Sequence, residues 1–191
     1  MGYLQRVTKN YSKLCSSAEG TSWDYVILTA CDEHQKSFYQ MQINLRLRGN
    51  FLPPSSSYHV VADPPSSPNC KAGRRVGSGG ATVHALEDLM NVHGPKNCSY
   101  EDKLSWLGEQ TILLIHSGGY ASRNPNLTCK GKTFAPFVMS VDDSPSDFVE
   151  LMEVPTVFDV KMSLLAPISN NIKEMMSEFR PHNKLNGGGE R

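Results

Sequence analysis

The chain lacks an excess of charge of either sign. Lys+Arg and Asp+Glu both number 19, so its formal net charge is zero. Such a chain has no broad basic field to hold nucleic acid or an anionic membrane, and any cations that matter must act locally. It also lacks an apolar run near the roughly 20 residues that span a bilayer, and its first residues lack the apolar core of a signal peptide. The expectation is a cytoplasmic protein with neither membrane nor nucleic-acid partners. Its five cysteines, Cys15, Cys31, Cys70, Cys98 and Cys129, are odd in number and include no C-x-x-C pair. This argues against a disulfide framework and reads as reduced thiols. The N-x-[ST] sequons at Asn10, Asn97 and Asn126 are then accidental, and Arg6 stands where N-myristoylation of Gly2 wants Ser or Thr. No internal repeat occurs.

What is present is enough apolar residue, 39% of 191, for one core of ordinary size. WDYVILTA (23–30) reads as a buried strand. Asp32 can cap a helix running to about Leu47, with Phe38, Met41, Leu45 and Arg48 along one side. A Pro/Ser turn leads to a second strand, Tyr58–Ala62, and residues 63–75 read as loop. VGSGGATVHAL (76–86) opens a second helix, with Ser78 or Thr82 as cap and Val83, Leu86, Leu89 and Met90 as its buried stripe. Residues 94–103 read as a polar connection before a third strand, Thr111–His116. Thr156–Phe179 reads as helical but interrupted at Pro167. Tyr3, Leu4, Val7, Tyr11 and Leu14 fall near helical spacing in the first 22 residues, and residues 183–191 have the composition of a disordered tail. Strand, helix, strand, glycine loop, helix, strand, glycine loop predicts an α/β fold: a mostly parallel sheet with helices on both faces. Ligands of such sheets collect at the carboxyl ends of the strands, where both glycine segments would lie.

The third strand opens into the most informative stretch, ILLIHSGGYASRNPNLTCKGKTFAP (112–136). Glycine lets a phosphate approach backbone N–H donors, an arginine grips phosphate oxygens in a fork, and a lysine supplies a point charge where negative charge builds up. Gly118, Gly119, Arg123, Pro125 and Lys132 resemble the signature loop of sugar nucleotidyltransferases, G-G-x-G-T-R-x-x-P with a later P-K, although Ala121 stands where the third glycine would lie. A P-loop reading of Gly131-Lys132-Thr133 fails, since Asn126 occupies the first glycine position and Pro136 opposes the required helix. A dinucleotide fingerprint in VGSGGATVHAL fails at Thr82.

Three segments in order, WDYVILTACDEHQ, RRVGSGGATVHAL and LLIHSGGYASRNP with the following GKTF, resemble the N-terminal region of the fucose-1-phosphate guanylyltransferases, also called GDP-L-fucose pyrophosphorylases. The L-fucokinase family shares the first two segments. The resemblance implies a Rossmann-related, GT-A-like nucleotidyltransferase domain, truncated here at its C-terminus and without the family's β-helix. It implies transfer of GMP from GTP to fucose 1-phosphate with release of pyrophosphate, and magnesium as cofactor. It places Gly118, Gly119, Ser122 and Arg123 around the GTP phosphates and Lys132 on the transferring group, with Arg123 and Lys132 as the catalytic pair. Gly77, Ser78, Gly79, Gly80 and Thr82 form a second cradle whose partner, base, ribose or phosphate, the residues leave open. Thr29, Ala30 and Asp32 line a base pocket. On this reading residues 1–22 are a helical extension, 23–140 the nucleotide-binding part, and 141–182 a linker and helical segment of the same domain. No metal ligand is identified, since Asp142 and Asp143 read as a solvated loop. His116 reads as structural support, because a phosphate nucleophile needs no base near neutral pH. His84 and His93 have no metal-ligand partners at useful spacing. Two other readings stand beside this one: an N-terminal part of an L-fucokinase, and a non-catalytic nucleotide-binding fragment.

Overall fold

Each of the three apolar runs forms a strand: β1 (Tyr25–Ala30), β2 (Ser57–Ala62) and β3 (Ile112–His116). The structure, a computed structural model, describes residues 23–64, 76–117, 131–137 and 156–179. These three strands pair in parallel in the order β2-β1-β3, with Tyr25 opposite Ser57 and Ile112, and Thr29 opposite Val61 and His116. The central strand is buried from Val26 to Ala30, as its unbroken apolar sequence predicts.

Alternation along β1 divides the core in two. Val26, Leu28 and Ala30 meet Tyr39 and Ile43 of α1 (Glu33–Arg48), together with Phe134 and with Phe158 and Met162 of α4 (Val157–Phe179). Ile27 faces the other way, onto Val61 and onto Ala85 and Leu89 of α2 (Gly77–Val92), with Trp106 and Leu107 of α3 (Tyr100–Glu109) packed beside them. Helices therefore cover both faces, as expected. Each fully buried Leu, Ile, Phe or Met side chain contributes about 1.5–3 kcal/mol to this packing. Because β2 and β3 lie on opposite sides of β1, the chain leaves β1 one way and later returns past it. The reversal marks the crevice at the carboxyl ends of β1 and β3 where ligands of such sheets bind.

Several local expectations are corrected. The buried side of α1 carries Gln35, Tyr39, Ile43 and Arg46, whereas Met41 and Leu45 are about half exposed. Neither Ser78 nor Thr82 caps α2: Val76 precedes the helix without a side-chain cap, and the buried stripe is Ala81, Ala85, Leu89 and Met90, with Val83 exposed. The polar connection over 94–103 contains the start of α3, nucleated by a capping box in which Ser99 and Asp102 satisfy each other's backbone N–H. Helix α4 runs through Pro167 without a break. Its burial on both sides of that proline, at Phe158, Met162, Ala166 and Ser169, outweighs the lost hydrogen bond. The N-terminal helix, the linker and the tail lie outside the described residues.

A buried ion pair joins distant elements on the α1 side. Arg46 is fully buried, its Nε donating to Asp159 Oδ1 at 2.7 Å and its Nη2 to Oδ2 at 3.0 Å. The guanidinium also reaches Gln42 and Thr156 and stacks on the Phe134 ring at 4.9 Å. Asp159 in turn accepts from the Thr156 N–H at 2.7 Å, closing the first turn of α4. The charge is tolerated in the core because the planar fork is met by a bidentate carboxylate and its remaining donors have partners.

Candidate functional site

At the carboxyl edge of the sheet the strands end in polar residues that tie one strand to the next. Ser117, just beyond β3, donates its N–H to Thr29 Oγ1 at 3.2 Å and its hydroxyl to the Thr29 carbonyl at 2.8 Å. The Ala30 carbonyl accepts from the Asp63 N–H at 2.8 Å. Thr29 and Ala30 are thus buried parts of the edge. Asp32 caps α1 as expected, its Oδ1 accepting from the Gln35 N–H at 2.8 Å, and its Oδ2 receives the Cys31 thiol at 3.4 Å. Gln35 returns the contact by accepting from the Cys31 N–H at 2.8 Å. These bonds brace the turn after β1, and Asp32 uses part of its acceptor capacity on it.

The first turns of α2 reach the same edge. Thr82 Oγ1 donates to the Ser78 carbonyl at 2.9 Å and lies 3.2 Å from His116 Nε2, at the end of β3. His84, nearby on α2, contacts the Ala62 carbonyl at the end of β2. Gly77, Ser78 and Gly79 are exposed, and a Cβ at Gly77 or Gly79 would meet no atom of the described residues within 4 Å. Gly77 is needed for its φ of +70°. Gly79 has no such backbone demand, so neither strain nor packing among the described residues explains its missing side chain. Among those residues the space above it is open.

A third segment is held to this edge through Tyr39. Its phenol donates to the Ser117 carbonyl at 3.1 Å. Burial, with Cys31 and Asp32 adding to it, raises its pKa well above the ordinary value, so it stays a neutral donor. Gly131, at φ +69°, passes against this hydroxyl, where a Cβ would collide with the oxygen. Thr133, Phe134 and Ala135 are buried behind it, and the Thr133 and Ala135 carbonyls accept from the N–H groups of Phe158 and Val157. Lys132 is exposed on this anchored turn.

The described members of the sequence-predicted site therefore gather at one edge: Thr29 and Ala30 at the end of β1 and Asp32 just beyond it, Gly77 to Thr82 at the start of α2, and Lys132 on the turn beside Tyr39. Gly118, Gly119, Ser122 and Arg123 lie outside the described residues, as do Asp142 and Asp143. Among the described residues no group of three or more His, Cys, Asp or Glu could hold a metal ion. Sequence reasoning missed Tyr39, Gln35 and Ser117, which build the edge. Tyr39 had a signal, since it sits one turn from Gln35 and Ile43 on the face that α1 buries.

Comparison with known proteins finds relatives of this chain. The chain is similar to the fucose-1-phosphate guanylyltransferase of Homo sapiens, 39% identical over 132 residues, which is 68% of this chain and 19% of that protein. It is also 39% identical over 117 residues to the Mus musculus protein of the same name, 61% of this chain and 17% of the relative. The bifunctional fucokinase/GDP-fucose pyrophosphorylase of Arabidopsis thaliana matches at 28% identity over 148 residues, 72% of this chain and 13% of that protein. The resemblance read from the three segments is thereby confirmed. The chain spans about a fifth of the length of the guanylyltransferases it matches. No protein-family model and no solved structure matches it. No helix among the described residues is long and apolar enough to cross a membrane.

Proposed function

We propose that this chain is the glycine-loop portion of a GT-A-like nucleotidyltransferase of GDP-L-fucose salvage, a cytoplasmic activity that moves GMP from GTP to fucose 1-phosphate and releases pyrophosphate. One observation carries the reading: the open N-terminal turn of α2, with Gly77 and Gly79 bare, meets the end of β3 through Thr82 and His116, while the Lys132 turn is tied to the same strand end through Tyr39 and Ser117. The similarity to guanylyltransferases supplies the substrates.

In this reading the α2 turn offers unpaired N–H groups and the helix dipole to an anion. Gly118, Gly119, Ser122 and Arg123 complete the cradle around the GTP phosphates. An oxygen of the sugar phosphate forms a bond to the α-phosphorus while the bridging α–β P–O bond breaks, its electron pair leaving with pyrophosphate. No proton needs to be abstracted and no covalent enzyme intermediate forms. Lys132 and Arg123 balance the charge that builds on the transferring group, and the anchored turn behind Lys132 limits the reorganisation needed.

The test is pyrophosphate release by the 191-residue chain in magnesium buffer, omitting GTP or fucose 1-phosphate in turn. Release should need both and fall about 100-fold or more in Lys132→Ala, the order of loss for one charge-stabilising donor. Release that ignores the sugar phosphate would overturn the acceptor assignment. GTP binding without any release would support the non-catalytic nucleotide-binding reading instead.

A further inference from the structure

The contact between Thr82 and His116 determines more than proximity. A threonine hydroxyl has one proton. Thr82 Oγ1 lies 2.9 Å from the Ser78 carbonyl oxygen, which can only accept, so the proton lies in that bond. Were it elsewhere, two lone-pair-bearing oxygens would face each other at hydrogen-bond distance. The same oxygen lies 3.2 Å from His116 Nε2 and can therefore only accept from it. In the neutral ring Nε2 carries the hydrogen, and Nδ1 is left with a lone pair. His116 is exposed, at the carboxyl end of β3 beside the open turn of α2, and among the described residues no partner is recorded for Nδ1.

We infer that His116, oriented by Thr82, presents Nδ1 as a fixed acceptor for a hydroxyl group of the bound substrate. The inference rests on the proposed nucleotidyl transfer, which brings two hydroxyl-bearing rings to this edge. An acceptor with its proton held on the far nitrogen discriminates against a phosphate oxygen, which also only accepts, and selects an O–H donor. The shared chemistry is a sugar hydroxyl, from the ribose of the nucleotide or from the sugar phosphate. His116 is on this account a specificity-determining residue, and Thr82 positions it.

The experiment uses two near-isosteric variants that separate the ring nitrogens. Asn in place of His116 keeps a polar atom near the Nδ1 position and loses the reach to Thr82, while Gln keeps that reach and loses the acceptor. Calorimetric affinities of the parent, His116→Asn and His116→Gln would be measured for GTP, 2′-deoxy-GTP, 3′-deoxy-GTP and fucose 1-phosphate. The parent should bind one deoxy analogue about fivefold more weakly than GTP, the value of one neutral hydrogen bond. His116→Gln should abolish that ratio and His116→Asn should retain part of it. If the ratio is absent in the parent and His116→Gln instead weakens fucose 1-phosphate about fivefold, the hydroxyl belongs to the sugar substrate. Equal ratios in parent and Gln variant, with unchanged fucose 1-phosphate affinity, overturn the inference and leave the proposed function standing. Binding of neither GTP nor fucose 1-phosphate by the folded parent overturns both. Independently of any ligand, nitrogen NMR of the free chain should show His116 protonated on Nε2 when neutral, and the Nδ1–H tautomer would refute the argument whatever the protein does.

Discussion

Removing the carboxylate of Asp159 should be among the most damaging single changes in the described fold. Asp159→Ala leaves Arg46, which is fully buried, with only Gln42, Thr156 and the rings of Phe134 and Phe158 around it, and it strips the Thr156 N–H of its acceptor. Breaking a buried pair from one side costs about 3–5 kcal/mol, because the remaining charge stays desolvated. The partners that survive argue for the lower end, about 3 kcal/mol. In a chain of this size that lowers the melting temperature by roughly 6–12 °C. Urea unfolding followed by far-ultraviolet circular dichroism gives the free energy directly. The double variant Arg46→Met with Asp159→Leu removes both charges while keeping volume, and should recover most of the loss. A loss below about 1 kcal/mol in Asp159→Ala, or a double variant no more stable than the single one, would refute the view that an uncompensated charge is the cause. If Asp159→Ala does not fold at all, the double variant still decides the matter.

Gly79→Ala should separate stability from binding: helix propensity favours alanine by about 1 kcal/mol, no described residue obstructs its Cβ, and yet GTP affinity measured by calorimetry should fall because the methyl group occupies the open turn. Gly131→Ala should destabilise through both its positive φ and its collision with the Tyr39 side chain, and Tyr39→Phe in the same chain should relieve only part of the loss, because the ring carbon Cζ stays 2.8 Å from the new Cβ and the backbone term of about 1–2 kcal/mol remains, as read by urea midpoints. Burial, with His59 and Lys96 adding to it against Asp88, lowers the pKa of His93 below 6.5. The unfolded chain therefore binds this proton first, and stability contributed here is lost as pH falls below about 6.5. Urea midpoints of His93→Gln should accordingly decline less between pH 7 and pH 5 than those of the parent. Ser99→Ala should cost about 1 kcal/mol by removing the capping box of α3.

The sequence by itself determined the strands, their parallel class, the helices on both faces, the Asp32 cap and the family resemblance. Each of these is written in contiguous residues or in their order: the unbroken apolar run of β1 is a strand covered on both faces, and Asp32 before a periodic stretch is a cap. The α1 and α2 stripes were misread for the same reason. Spacing names several possible faces, and only the neighbours decide which one is buried; on α1 the choice fell on Tyr39 and Arg46 over Met41 and Leu45. Nothing local marks Arg46 as a core residue, since the carboxylate that makes its burial tolerable is Asp159, 113 positions away. The same holds for Pro167, carried within a helix by the packing on either side of it. At the edge, the sequence pointed to glycines and cations as parts of a phosphate site. That the α2 turn lies against the end of β3, that Tyr39 ties Ser117 beside Gly131, and that Thr82 settles which nitrogen of His116 holds the proton depend on contacts between residues tens of positions apart. Hydrogen bonds and desolvation act through space, so only the tertiary structure could decide them.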